Sequence, residues 1–272
     1  MENKKKTIIK VIIAVLVICI LTVAGVVIYD RATVNNEYSI EEANINIPIF
    51  VYHNIVENES QIEFDYMQTT KETFENQIKG LIDYGYNFIT YQDLQKFKNG
   101  EIKLKKNSCI LTFDDGYDGV YENAYPIAQK YNIPFTMFVI TENMNTPGVI
   151  TWEQAREMQE SGTVTIASHS IDHPDFSQMS VEDALKNVNE SYRIIEEKLG
   201  KQPQKIFTYP YGLYKDEQIV ELEKQGYIVN LTDNKINKSK NLDLSRLHRD
   251  YPLGDSIYKI MIKVFYRSVR YN

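Results

Sequence analysis

Two carboxylates, Asp114 and Asp115, stand side by side where an apolar run stops, in CILTFDDGYDG at 109–119. Adjacent carboxylates repel each other unless a cation lies between them or one of them keeps a proton. A metal ion is one such cation, which directs the search to its other ligands. His169 and His173 follow a second apolar run, TVTIA, in the stretch SHSIDHP at 168–174. On a helix this His-x-x-x-His spacing would put both rings on one face. Here the pair comes after a strand pattern and before Pro174, which places it in a strand-to-loop turn. Neutral imidazoles and a carboxylate make a common catalytic zinc set, with one position left open. Asp115, His169 and His173 are therefore the candidate metal ligands. His53 ends a third run, IPIFVYH, and Tyr209 and Tyr211 sit in FTYPYG at 207–212. The fourth histidine, His248, reads as structural, and the KLKK cluster at 103–106 as solvated loop.

These residues act together only if their elements bring the run ends to one place. From 47 onward, short apolar runs alternate with helical patterns. Strands are expected at 47–53, 87–91, 108–115, 134–140, 163–170, 205–212 and 227–232. Helices are expected at 69–85, 91–100, 120–132, 151–162, 181–199, 215–226 and 256–269. Thr70 suits a helix cap, and Gly85 and Gly200 suit helix stops. Such alternation implies a parallel sheet with helices outside it. With about seven units, a closed or nearly closed α/β barrel is expected, and barrels of this kind keep their chemistry at the C-terminal ends of the strands. His53, Asp114, Asp115, His169, His173, Tyr209 and Tyr211 all fall near such ends.

The 272 residues suffice for one good-sized domain, and a composition 43% hydrophobic and 25% charged predicts a packed core. A formal net charge of −7 argues against nucleic acid as a partner. Two cysteines, Cys19 and Cys109, cannot build a disulfide framework or a Cys-rich zinc site, so a metal needs His and carboxylate ligands. Lys4, Lys5, Lys6 and Lys10 precede an uncharged run over 11–28, whose 18 residues are just enough to span a bilayer. The basic flank would stay in the cytoplasm, leaving the rest outside. With no clear small-x-small cleavage site, the run reads as an uncleaved anchor rather than a signal peptide. The expected organisation is a basic tip and anchor over 1–30, a polar stalk over 31–46 and a catalytic domain over 47–272.

At this point the chain resembles the polysaccharide deacetylases of the NodB-homology type, carbohydrate esterase family 4. TFDDG looks like that family's first motif, HSIDHP like its second, and YPYG like a variant of its third. The resemblance runs over about 47–250, and the three motifs in order at strand ends make it specific. It implies a distorted (β/α)7-type barrel that hydrolyses the acetamide C–N bond of N-acetylated sugars with a divalent metal, zinc foremost. By position, Asp115, His169 and His173 would be the ligands and Asp114 the general base. The Tyr211 backbone N–H would bind the oxyanion, with Tyr209 beside it in the substrate and oxyanion region. The family's third-motif Arg falls on Thr208 here, and Arg246 is the candidate to replace it. The opening PIFVYHNI resembles the circularly permuted poly-N-acetylglucosamine deacetylases, whose catalytic His comes first, so the general acid is assigned to His53. The expected substrate is an exported N-acetylglucosamine polymer of a wall or biofilm, with peptidoglycan as the alternative. A barrel glycosidase using Asp115, Asp118 and Glu122, or a non-catalytic sugar-binding module, are the readings of other classes.

Overall fold

A computed structural model describes every residue except 1, 34, 43, 64–66, 253–255 and 271–272; side chains at 2–8, 23–24, 26–32 and 268–270 are also outside the described set. One parallel sheet dominates it. Its strands are β1 (Ile49–Tyr52), β2 (Asn87–Phe88), β3 (Ser108–Phe113), β4 (Phe135–Val139), β5 (Val164–Ser168), β6 (Lys205–Thr208), β7 (Tyr227–Leu231) and β8 (Leu247–His248). They run in the order β8-β7-β6-β5-β4-β3-β1, and β2 pairs with the start of β3. The two edges meet just beyond β8. There Asp250 forms a parallel bridge with Phe50, the Val51 N–H donates to the Asp250 carbonyl at 2.9 Å, and the Asp250 N–H donates to the Ile49 carbonyl at 2.8 Å. The result is the near-closed parallel α/β barrel expected from the alternation of elements.

The strands read as continuous apolar runs because both faces are covered; every residue of β3 is buried. Helices α2 (Lys71–Asp83), α3 (Tyr91–Lys98), α4 (Tyr125–Tyr131), α5 (Trp152–Glu160), α6 (Val181–Leu199) and α7 (Asp216–Lys224) separate successive strands of the barrel. Their starts are chemical. Thr70 accepts from the Thr73 N–H at α2, Thr90 from Asp93 at α3, and Ser180 from Asp183 at α6. Phe74, Ile78 and Leu81 are the buried apolar stripe of α2, as their spacing requires. A final helix, α8 (Ile257–Arg270), buries Ile260 and Val264 and packs beside α2.

Period two then explains the site. Alternate strand residues share a face. Ile49, Ile110, Ala167, Ile206, Ile228 and Leu247, from six different strands, belong to one apolar cluster. Two residues further along each strand stand Val51, Thr112, His169, Thr208, Asn230 and Arg249, all buried. Two more reach His53 and Asp114. The barrel interior thus runs from an apolar floor, through a mostly polar layer, to a reactive mouth.

Between β3 and α4 the chain makes a wide π turn over Val120–Ala124, entered at Gly119. A Cβ at Gly119 would lie 2.5 Å from the Ile55 carbonyl oxygen and 2.2 Å from Asn54 Oδ1. Gly119→Ala is therefore expected to cost roughly 1–3 kcal/mol through overpacking against backbone. A denaturant midpoint equal to that of the parent chain would refute it.

Part of the expected stalk is not free. Residues 37–38 pair antiparallel with 104–105, residues 46–47 with 237–238, and Ile45 and Ile47 are buried. Isoleucines at 45 and 47 and unpaired strand edges on the domain give this segment something to pack on, so the polar linker is shorter than 31–46. At the N-terminus a helix, α1, covers Glu2–Thr33. The expected span over 11–28 lies within it, but its side chains at 23–24 and 26–28, and those of Lys4, Lys5 and Lys6, lie outside the described residues. Among the described residues no helix is long and apolar enough to cross a membrane. Those of α1 that are described include Ile12, Leu16, Ile20 and Leu21, all more than half exposed. Both cysteines are free, Cys19 exposed and Cys109 buried.

Candidate active site

Asp114 continues the β3 alternation inward. Asp115 would by the same rule point outward, but it adopts φ 71° and Gly116 follows at φ 80°. Two left-handed residues in succession turn the chain and re-aim the Asp115 carboxylate into the mouth. A second strained return carries the histidines, with Ser170 at φ 75° and His173 at φ 56°. It is pinned from within and from α6. The His173 N–H donates to Ser170 Oγ at 2.9 Å, and the Ile171 N–H to Asn187 Oδ1 at 3.0 Å.

The three expected ligands converge. His169 Nε2 and His173 Nε2 each lie 3.5 Å from Asp115 Oδ1 and 3.2 Å from each other. His169 Nδ1 donates to the Thr208 carbonyl at 2.9 Å, which leaves the Nε2 lone pair facing Asp115. Burial pushes the His169 imidazole down to about 3 and also lowers His173, so both rings are neutral at neutral pH. Burial, then the neighbouring Asp114 charge, push Asp115 up to about 7. Its Oδ1 is enclosed and accepts no hydrogen bond from the described residues. An orphaned buried carboxylate oxygen before two imidazole nitrogens is what a divalent cation would satisfy, so the residues fit a metal.

Asp114 faces something else. Arg249 donates to both its oxygens, Nη1 to Oδ1 and Nη2 to Oδ2, each at 2.7 Å. The same Nη2 reaches Thr208 Oγ1 at 2.6 Å and Thr232 Oγ1 at 2.9 Å. Burial opposes ionisation of Asp114, but the Arg249 guanidinium outweighs it and holds the carboxyl at about 2. The arginine missing from the third motif is thus supplied from beyond β8, and its hand rests on Thr208, where the motif arginine would stand. Arg246, the expected replacement, points elsewhere and pairs with Asp216 at 2.7 Å on the surface. The reason is again period two. Leu247 lies in the apolar floor, so Arg249 shares its face while Arg246 and His248 take the other. In SRLHRDY that rule separates Arg249 from Arg246 once the structure has placed Leu247 in the floor.

A cleft of about 700 Å³ opens over these groups. Its lining includes His53, Asp114, Asp115, His169, His173, Tyr209 and Tyr211, together with Met67, Thr232, Tyr251 and Lys263. His53 is buried, and burial lowers its pKa against the raising effect of Asp114. Tyr211, at φ 57° and 68% exposed, sets its ring edge-on to His173 at 4.4 Å. Tyr209 is instead packed among Phe176, Phe207 and Tyr214, so its ring is chiefly wall. His248 lies outside the cleft and pairs with Asp233 at 2.9 Å. Asp118 and Glu122, needed by a glycosidase, do not line it.

Residues 101–229 match the family model for polysaccharide deacetylases. That stretch of the chain is a polysaccharide deacetylase domain by this match. YxkH of Bacillus subtilis (strain 168) is 29% identical over 208 residues, covering 76% of this chain and 72% of its own length. The poly-beta-1,6-N-acetyl-D-glucosamine N-deacetylase of Staphylococcus aureus (strain MRSA252) is 32% identical over 180 residues. That match covers 61% of this chain and 61% of the staphylococcal protein, so the chain spans less than two thirds of that relative. Among solved structures, the Streptococcus pyogenes deacetylase PplD in complex with acetate aligns with TM-score 0.73 at 25% identity, over 82% of this chain and 99% of that one. Carbohydrate esterase family 4 deacetylases use a divalent metal, which agrees with the donor set in the deacetylase cleft. The non-catalytic reading drew its support from a missing arginine, and Arg249 removes that support.

Proposed function

We propose that this chain removes N-acetyl groups from an exported polysaccharide of the poly-N-acetylglucosamine type, releasing acetate. The observation that carries the reading is the meeting, in one cleft, of three metal donors with a carboxylate clamped by Arg249. The name of the staphylococcal relative supports the polymer, and the acetate in the streptococcal structure supports the leaving product. Asp115, His169 and His173 would hold the ion, and zinc best suits two imidazoles and a carboxylate. A divalent ion there supplies Lewis acidity, making water more acidic and the acetamide carbonyl more electrophilic. Asp114, kept ionised and oriented by Arg249, takes the proton of the attacking water. The Tyr211 backbone N–H meets the oxyanion that forms, and the exposed Tyr211 ring gives the sugar a surface to stack on. His53 protonates the leaving nitrogen as the C–N bond breaks. The exposed apolar residues of α1 support an anchor that holds the domain at the outer face of a cell membrane.

The test is to incubate the full chain in detergent with short N-acetylglucosamine oligomers and weigh the products. Loss of one acetyl mass per event, stopped by chelator and restored by zinc, is expected. Shortened oligomers would establish a glycosidase and end the reading. Inertness here with turnover of peptidoglycan fragments would reassign the substrate to the wall.

A further inference from the structure

Tyr251 follows the barrel-closing residues Arg249 and Asp250 and lines the cleft. Its ring plane lies 7° from that of His53, with centroids 5.8 Å apart. His53 Nδ1 is enclosed and has no hydrogen-bond partner among the described residues. A histidine that moves protons ordinarily takes its tautomer and orientation from an acceptor on its second ring nitrogen. Among the described residues no such acceptor holds His53, so packing must orient it, and the stacked ring is Tyr251. Tyr251 is held beside the reactive layer by the chain itself: Arg249, two residues earlier, donates to Asp114 and to Thr232, which lines the same cleft.

We propose that Tyr251 is the positioning residue of the leaving-group acid. Its ring fixes the His53 imidazole over the cleft, and the negative face of the ring favours the imidazolium form. In the step this serves, an N–H bond of His53 breaks and an N–H bond forms on the sugar nitrogen. The C–N bond of the tetrahedral adduct then breaks, its electron pair stays on nitrogen, and acetic acid departs and ionises. The inference rests on the role given to His53 above.

The experiment compares two substrates on the full chain with zinc. An aryl acetate has a leaving group acidic enough to depart unprotonated, so its hydrolysis spares the acid, whereas an N-acetylglucosamine oligomer needs it. Tyr251→Leu is expected to lower kcat on the oligomer about 10–100-fold, within the 10²–10⁴ that acid–base catalysis supplies, and to change aryl acetate hydrolysis less than about 3-fold. Tyr251→Phe, which keeps the ring, should rescue most of the oligomer rate. Equal losses on both substrates, or no loss on either, would overturn the inference. His53→Ala separates the two claims. If it leaves the oligomer rate intact, the acid assignment falls; if it lowers that rate while Tyr251→Leu does not, only the positioning role falls. Should Tyr251→Leu fail to fold, proton NMR of the unaltered chain decides. The His53 ring protons, identified by their loss in His53→Gln, must show an upfield ring-current shift, and unshifted resonances would refute the stacking.

Discussion

Arg249→Met will cost the fold about 3–5 kcal/mol, the price of leaving a buried carboxylate without its counterion. Arg249 is 1% exposed and Asp114 3% exposed, and the pair is bidentate at 2.7 Å on both arms, so methionine would leave a largely desolvated carboxylate without either contact. Activity should fall at least about 10²-fold as well, because Asp114 loses both its orientation and the charge that keeps it ionised. Asp114→Leu alone should destabilise by a similar amount, since it strands the guanidinium instead. The double variant Asp114→Leu/Arg249→Met has no buried charge to strand. It should recover most of the stability of the parent and none of its activity. Chemical denaturation of the four proteins checks the cycle. Additive losses in the double variant would mean that the pair does not act as a unit.

Asp115→Asn should make the metal-free protein more stable at pH 8 and the metal-loaded protein inactive. In the folded chain Asp115 is pushed up to about 7, by burial first and then by Asp114, from an ordinary 3.8. The sign follows from that direction. Below about pH 4 the carboxyl is protonated in both folded and unfolded chains and costs nothing. Between about pH 4 and 7 the unfolded chain ionises first, so stability drains away as pH rises, by up to roughly 4 kcal/mol at about 1.4 kcal/mol per unit. Asparagine cannot ionise and escapes the loss. A bound divalent ion reverses the order, because it favours the carboxylate that burial disfavours. Unfolding curves at pH 5 and pH 8, with chelator and with zinc, test this. A metal-free parent equally stable at both pH values would count against it. Asp114 works in the opposite sense. Held at about 2, it adds stability above about pH 4 that is lost as pH falls through 2, so the two neighbours bound the stable range from either side.

The adjacency of Asp114 and Asp115 is thus resolved by dividing their partners. One faces an arginine, the other two histidines and the place of a cation. Each arrangement alone would be unremarkable for a carboxylate. Only backbone strain at Asp115 lets neighbours in sequence serve both.

Much of this was legible before any coordinates. The barrel follows from alternating apolar runs and capped helices, because those signals are local. Hydrogen-bond capacity at Thr70 and apolar spacing on α2 act within a few residues of themselves. The reactive side chains follow too, since a strand end is visible in sequence and a parallel barrel gathers such ends at one mouth. What sequence could not decide is which distant residues touch there. Arg249 rather than Arg246 reaches Asp114, 135 positions away, because barrel closure through Phe50 and Asp250 sets the register and hence the face of each residue after β8. Tyr251 meets His53 for the same reason. Composition and periodicity determined the elements and their reactive ends; closure of the sheet, a contact between its first and last strands, determined the partners.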